Sequence, residues 1–303
     1  MAITINGHTI STVVTSSIMG HSGGGMFPLT LLPAYRKLRR VIRKAGIYNL
    51  TKSSTGLKHI GNFIMHDPKT WKYIQRIGHD GLLNAYGLTN DGVEANAQKI
   101  TLACRSGYRV IPSFYPQFAK SREAAIRETV ESISAYRWFM GNYFWALELD
   151  FSCPNSKEKI RENITNALAC VKAVRQENST ICLIAKISYV HPYEFAQELV
   201  KAGVDIIHAI NTIPYNLVYP FGEQSPLADV GGGGVSGDPA KDKAFSYNHL
   251  LRKVLKGKMI MGCGIMSVDD AARYMDIGAD VISICTVGRL NPKEAEKIIK
   301  KFN

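Results

Sequence analysis

A few short stretches of this chain gather side chains able to do chemistry. They are Lys52-Ser53-Ser54, Asn84-Ala85-Tyr86-Gly87-Leu88-Thr89-Asn90, Asp150-Phe151-Ser152-Cys153-Pro154-Asn155 and Asn211-Thr212, with Lys186 standing alone between the last two. Lysine brings a cation, asparagine a donor and an acceptor on one side chain, and cysteine a thiol. Each taken singly has an ordinary explanation: a snorkelling lysine, a turn asparagine, a buried cysteine. Position sets them apart, because most of them directly follow a short apolar run.

The last third holds a second group. Gly231 to Gly237 (GGGGVSG) is mostly bare backbone, whose N–H groups can approach an anion closely. Gly262-Cys263-Gly264 and Cys285-Thr286 end two further apolar runs. Glycines and a threonine at such points suit a phosphate. They predict a phosphorylated ligand.

The elements that must hold these groups read as alternation. Candidate strands fall at 12–17, 46–51, 108–113, 146–151, 181–187, 204–210, 258–262 and 280–285. Such continuous apolar runs suit parallel strands buried on both faces. Between them lie helical patterns, as in Ile126, Val130 and Ile133, or Ile160, Ile164, Leu168 and Val171. Eight strands alternating with helices in about 300 residues predict an α/β fold, a (β/α)8 TIM barrel, whose site gathers at the C-terminal strand ends. An open doubly wound sheet would want Gly-x-Gly-x-x-Gly after the first strand, and the chain has none there. Ile3–Ile5 and Thr9–Ile10 flanking Asn6-Gly7 predict a short N-terminal β-hairpin. No linker, repeat or charge block divides the sequence, so a single domain over 1–303 is expected.

Composition narrows the classes. Hydrophobic residues make up 46% of the 303 and charged residues 20%, a globular balance. No apolar run reaches the roughly 20 residues of a membrane span, and no secretory signal opens the chain, so a cytoplasmic protein is expected. The six cysteines form no C-x-x-C pair, which leaves zinc ribbons and cysteine-ligated iron–sulfur clusters without support. The net charge of +12 is concentrated: residues 1–75 hold ten Lys/Arg against one acid, Asp67. Six of the ten lie between Arg36 and Lys44, opposite an apolar stripe of Ala34, Leu38, Val41, Ile42 and Ala45. As a patch this would suit RNA, an acidic protein or a membrane surface; its ordinary meaning is a solvated helix face.

Taken together, the motifs Thr51-Lys52-Ser53-Ser54, Asn84-x-x-Gly87-Leu88-x-Asn90, Glu148-Leu149-x-x-Ser152-Cys153-Pro154-Asn155, Lys186, Asn211-Thr212 and Gly233-Gly234-Val235-Ser236-Gly237 resemble the dihydroorotate dehydrogenase family in its soluble class 1 form. The resemblance runs from Thr15 to about Gly288, and the dihydropyrimidine dehydrogenases share the same barrel. It implies an FMN cofactor against Ser16, Lys52, Ser53, Asp150, Lys186 and Ile210. It also places Gly234, Ser236, Gly237, Cys263, Gly264, Cys285 and Thr286 at the cofactor, with the phosphate in the loops after strands seven and eight. Lys52, Asn84, Tyr86, Gly87, Leu88, Asp150, Asn155, Asn211 and Thr212 would hold a small pyrimidine-like substrate. Catalysis would rest on Cys153 as the base and on Lys186 as the cation beside the flavin. The family's class 1 enzymes are homodimers with a soluble acceptor, or pair with an electron-transfer subunit carrying an iron–sulfur cluster. That cluster would here need a separate chain.

The chain departs from the family at three places. Asp150 stands where an asparagine is usual, Phe63-Ile64-Met65-His66 replace the Pro and Arg that follow Gly-Asn, and Cys263 and Cys285 replace frequent glycines. A tRNA-dihydrouridine-synthase-like barrel is the alternative from another class. Its cysteine usually follows Asn-x-Gly, however, and nucleic acid is not the expected partner. A third reading is a related flavoprotein with a different substrate or no activity.

Overall fold

The computed structural model describes residues 2–119, 121–152 and 160–303. The hairpin pairs Ile3–Ile5 with His8–Ile10, and Asn6 and Gly7 at its turn have φ of 51° and 76°. Two consecutive left-handed residues are what a type I′ turn requires, and Asn-Gly supplies them at least cost.

Eight strands follow: β1 (Val13–Ser16), β2 (Tyr48–Leu50), β3 (Arg109–Ile111, resumed at Ser113–Phe114), β4 (Ala146–Asp150), β5 (Cys182–Lys186), β6 (Ile206–Ala209), β7 (Lys258–Gly262) and β8 (Val281–Ile284). All pair in parallel, in the order β3-β2-β1-β8-β7-β6-β5-β4-β3. The sheet returns to β3 because its first piece pairs with β2 and its second with β4. Pro112, which has no N–H to give a ladder, separates the two pieces. Around the barrel run α1 (Pro33–Ala45), α2 (Val93–Arg105), α3 (Arg122–Met140), α4 (Ile160–Glu177), α5 (Tyr193–Lys201), α6 (Lys241–Val254), α7 (Val268–Asp276) and α8 (Pro292–Phe302). None of the helices among the described residues is long and apolar enough to cross a membrane.

The continuous apolar runs have their explanation in two separate cores. Leu147, Leu149, Leu183, Ile207, Met259 and Ile282 face the helices. Val14, Leu50, Ile184, Ile206, Ile260 and Val281 fill the barrel, and Ile3 and Ile10 of the hairpin join them. The hairpin therefore plugs the end where the strands begin. Asn6 Nδ2 donates to the Thr180 carbonyl at 2.7 Å, and His8 stacks on Trp145 with centroids 4.4 Å apart. The opposite end is left for the site.

In α1 the buried residues are Tyr35, Leu38 and Ile42, so Tyr35 rather than Ala34 completes the apolar stripe. Arg36, Lys37, Arg40, Arg43 and Lys44 are exposed, whereas Arg39 turns in to donate to the Gly24 carbonyl at 2.7 Å. Lys37 reaches Glu296 of α8 at 3.1 Å.

One part of the architecture was not expected. Loops after β2 and β6 build a four-stranded antiparallel sheet from Ile213–Pro214, Gly234–Gly237, Gly81–Asn84 and Ile74–Ile77. The glycine run is thus a loop only as far as Gly233. Its glycines answer to crowding: a Cβ on Gly234 would lie 2.0 Å from Thr212 Oγ1, and one on Gly237 2.4 Å from the Asp80 carbonyl.

Candidate functional site

A cavity of about 420 Å³ opens at the C-terminal end of the barrel, a size typical of small-ligand sites. Ser16, Lys52, Ser53, Asn84, Tyr86, Gly87, Leu88, Asp150, Lys186, Ile210, Asn211, Thr212, Ser236, Cys263, Gly264, Cys285 and Thr286 all line it. The sequence had scattered these residues over 270 positions. Gly234 and Gly237 do not line it and instead let the antiparallel sheet pass close to Thr212 and Asp80. Cys153 and Asn155 lie outside the described residues.

The floor is a row of charges set by strand register. Lys186 at the end of β5 sits opposite Asp150 of β4 on one side and His208 of β6 on the other. Asp150 is fixed by three donors: Ser53 Oγ to Oδ2 at 2.5 Å, and the Ser152 backbone N and Oγ to Oδ1 at 3.0 and 2.5 Å. Burial alone would lower the Lys186 pKa, but Asp150, followed by Glu148, outweighs it and holds the ammonium above its usual range. This lysine is a permanent cation at working pH.

Lys52 is held differently. It follows β2, its backbone N donates to the Gly20 carbonyl at 3.1 Å, and its Nζ lies 3.7 Å from the centre of the Tyr86 ring. Burial, reinforced by Lys186 and Arg289 and opposed by Cys285 and Asp150, brings its pKa down to about 8. A cation over a tyrosine face is partly compensated, yet Lys52 has no carboxylate in ion-pair contact among the described residues.

The far wall comes from β7, β8 and the segments that follow. Thr286 Oγ1 donates to Ser236 Oγ at 2.9 Å, tying the end of β8 to the antiparallel sheet. Gly264, at φ +79°, packs where a Cβ would stand 2.6 Å from Lys241 Cα at the start of α6. Arg289 lines this part too and has no acidic partner among the described residues. Hydroxyls, a glycine corner and an unpaired guanidinium fit a phosphate. Met26, Phe63, Trp71 and Ile74 give the same cavity an apolar side, so a ligand with a flat apolar ring system and an anionic tail fits the donor set.

Three lining residues escaped sequence reading. His208 sits inside an apolar run and reads there as core; only its strand parity with Ile206, also facing the barrel interior, could have pointed to it. Arg289 reads as a surface charge following β8. His21, beyond β1, has both ring nitrogens buried, and burial brings its pKa to about 3, so it is a neutral imidazole beside Lys52.

A family model described as dihydroorotate dehydrogenase matches residues 40–303. Among curated proteins, the chain is similar to the dihydroorotate dehydrogenase B (NAD(+)), catalytic subunit, of Halalkalibacterium halodurans, with 26% identity over 284 residues, 89% of this chain and 90% of that protein. It is similar also to the protein of the same name from Trichlorobacter lovleyi, with 30% identity over 230 residues, 72% of this chain and 70% of that protein. The counterpart from Oceanobacillus iheyensis is 29% identical over 232 residues, 73% and 71% of the two chains.

Proposed function

The chain belongs to the dihydroorotate dehydrogenase family, and from that premise we propose that it uses FMN to oxidise the CH–CH bond of dihydroorotate, or of a close cyclic amide, to C=C in pyrimidine biosynthesis. The observation that carries this reading is the set of cations on one cavity: Lys186 held charged by Asp150, and Lys52 and Arg289 without carboxylate partners. An anionic cofactor and an electron-rich reduced state are what such a set accommodates.

FMN, when bound, supplies the acceptor for the hydride. Ser236, Gly264, Thr286 and Arg289 would hold its phosphate, and Lys186 would offset the negative charge it gains. Lys52, Asn84, Asn211 and Thr212 orient the substrate, with Asn155 as a further amide partner. Cys153 takes the proton from the carbon next to the one that gives up hydride. The relatives' names describe a catalytic subunit, which supports a separate electron-transfer subunit as partner. Purified protein reconstituted with FMN and mixed anaerobically with dihydroorotate should lose its yellow colour. Flavin that stays oxidised at saturating substrate overturns the substrate assignment, and failure to retain FMN overturns the cofactor.

Lys52 gives the reaction a pH dependence. Its folded pKa of about 8 lies below the ordinary lysine value, so it is charged below pH 8 and neutral above. Burying this charge therefore costs stability at low pH, a cost that begins to fade at about pH 8 and is gone only above the ordinary lysine pKa. Affinity for an anionic pyrimidine carboxylate should fall as pH rises through about 8, read by titrating the flavin absorbance. The Lys52→Met variant should bind more weakly and with a flat profile over that range.

Asp150 favours a second form of the reading, in which the ring presents an N–H donor instead of a negative group. Two unit charges about 4 Å apart repel by roughly 4 kcal/mol at an effective dielectric near 20. Lys186 and Lys52 offset part of that. Asp150→Asn should therefore raise affinity for orotate about tenfold or more while leaving uracil within a few-fold, by equilibrium titration. An unchanged preference between the two ligands would show that Asp150 does not sort them.

A further inference from the structure

The charges at the cavity floor do not balance by themselves. Two carboxylates, Asp150 and Glu148, face one lysine, Lys186, across β4 and β5. The fourth member is His208. Its Nδ1 lies 2.5 Å from Glu148 Oε2, with the two side chains 2% and 0% exposed. The carboxylate thus fixes the ring's orientation and leaves Nε2 for the cavity that His208 lines. Nε2 has no partner among the described residues, and the other Glu148 oxygen, Oε1, has no hydrogen bond.

Charged groups reach this pair from the neighbouring strands. β5 brings Lys186, and β4 brings Glu148 and Asp150. β7 opposes His208 with Ile260. Cys263 and Cys285, also on the cavity, are thiols that burial pushes up, Cys263 to about 12, so they stay neutral. Lys52, on the same cavity, keeps its charge below about pH 8. With His208 neutral, the row Asp150, Glu148, Lys186 and His208 carries one net negative charge. With His208 protonated it carries none.

We propose that His208, oriented by Glu148, is the proton-holding group of this cavity, taking up a proton when hydride transfer brings negative charge beside Lys186 and releasing it when that charge leaves. This deepens the proposed function and rests on it. In the balanced step the substrate gives a hydride, with its two electrons, to the cofactor and a proton to Cys153, while Nε2 of His208 gains a proton from water. When the acceptor removes the two electrons, the proton left from the hydride, the one on His208 and the one held by Cys153 all return to water. Lys186 alone cannot serve, because its charge is already matched by Asp150 and Glu148.

The test is the pH dependence of the reduction potential of the FMN-loaded protein, measured against reference dyes between pH 6 and 7, where Lys52 keeps its charge. For a two-electron couple one proton corresponds to about 30 mV per pH unit, and two protons to twice that. The unmodified protein is expected to follow the two-proton slope and His208→Gln the one-proton slope, with the variant's potential at pH 6 lower by at least the 30 mV of a tenfold change. His208→Asn is the companion variant. Should neither fold, the slope of the unmodified protein decides: a one-proton slope throughout overturns the inference. Equal slopes and potentials in variant and parent, both fully loaded with FMN, overturn it as well. A parent chain that holds no FMN overturns the proposed function and this inference together, which separates the two failures.

Discussion

Lys186→Met is expected to slow anaerobic flavin reduction by about 10²- to 10³-fold, as removal of a preorganised charge from a developing anion does elsewhere. The residue sits at the last position of β5, wholly buried, with Asp150 and His208 in register on its two sides. Losing the ammonium does more than weaken catalysis. It leaves Asp150 as a buried carboxylate facing no lysine, while Glu148 keeps His208, and breaking a buried pair in this way costs about 3–5 kcal/mol. Lys186→Met alone should therefore also lower the unfolding temperature. The informative protein is the double variant, Lys186→Met with Asp150→Asn, in which the orphaned charge is gone. It should recover most of the lost stability in thermal unfolding while keeping the slow reduction seen by stopped-flow absorbance. A double variant that regains the parent rate would make Lys186 a structural counter-ion and nothing more.

Those two outcomes turn on how different parts of the molecule announce themselves. The eight barrel strands were legible because each is buried on both faces, so Cys182 to Ala185 or Met259 to Met261 read as unbroken apolar runs. The antiparallel sheet over the site was not. Its strands are two to four residues long, and Gly81–Asn84 finds Gly234–Gly237 some 150 residues away. Glycines placed there for close approach look the same in sequence as glycines in a mobile phosphate loop. Strand ends were the best guide to the site: Lys52, Asp150, Lys186 and Asn211 stand where an apolar run stops, and a barrel turns all such positions to one cavity. His208 stands one turn of the pleat inside its run, where a lone histidine reads as core. Only the register that puts it beside Lys186 and the Glu148 carboxylate at 2.5 Å gives it a part in the chemistry.

Cys153→Ala should leave FMN retention and orotate affinity close to those of the parent and cut turnover by about 10²- to 10⁴-fold, the usual worth of a positioned base. The residue before it bears on why. Ser152 is anchored to Asp150 through both its backbone N and its Oγ, and Asp150 ends β4 on the cavity floor. A thiol has an ordinary pKa near 8.5, and a neighbouring cation favours the thiolate. Serine at the same position keeps the shape but holds its proton far more tightly. Cys153→Ser should thus retain a trace of activity that climbs with pH beyond the point where the parent has levelled off. Lys52 complicates the upper limb, since it loses its charge near pH 8. Single-turnover reduction at saturating substrate removes that contribution, because binding no longer limits the rate. Under those conditions, a Cys153→Ser profile that superimposes on the parent's would mean that the proton leaves to some other group.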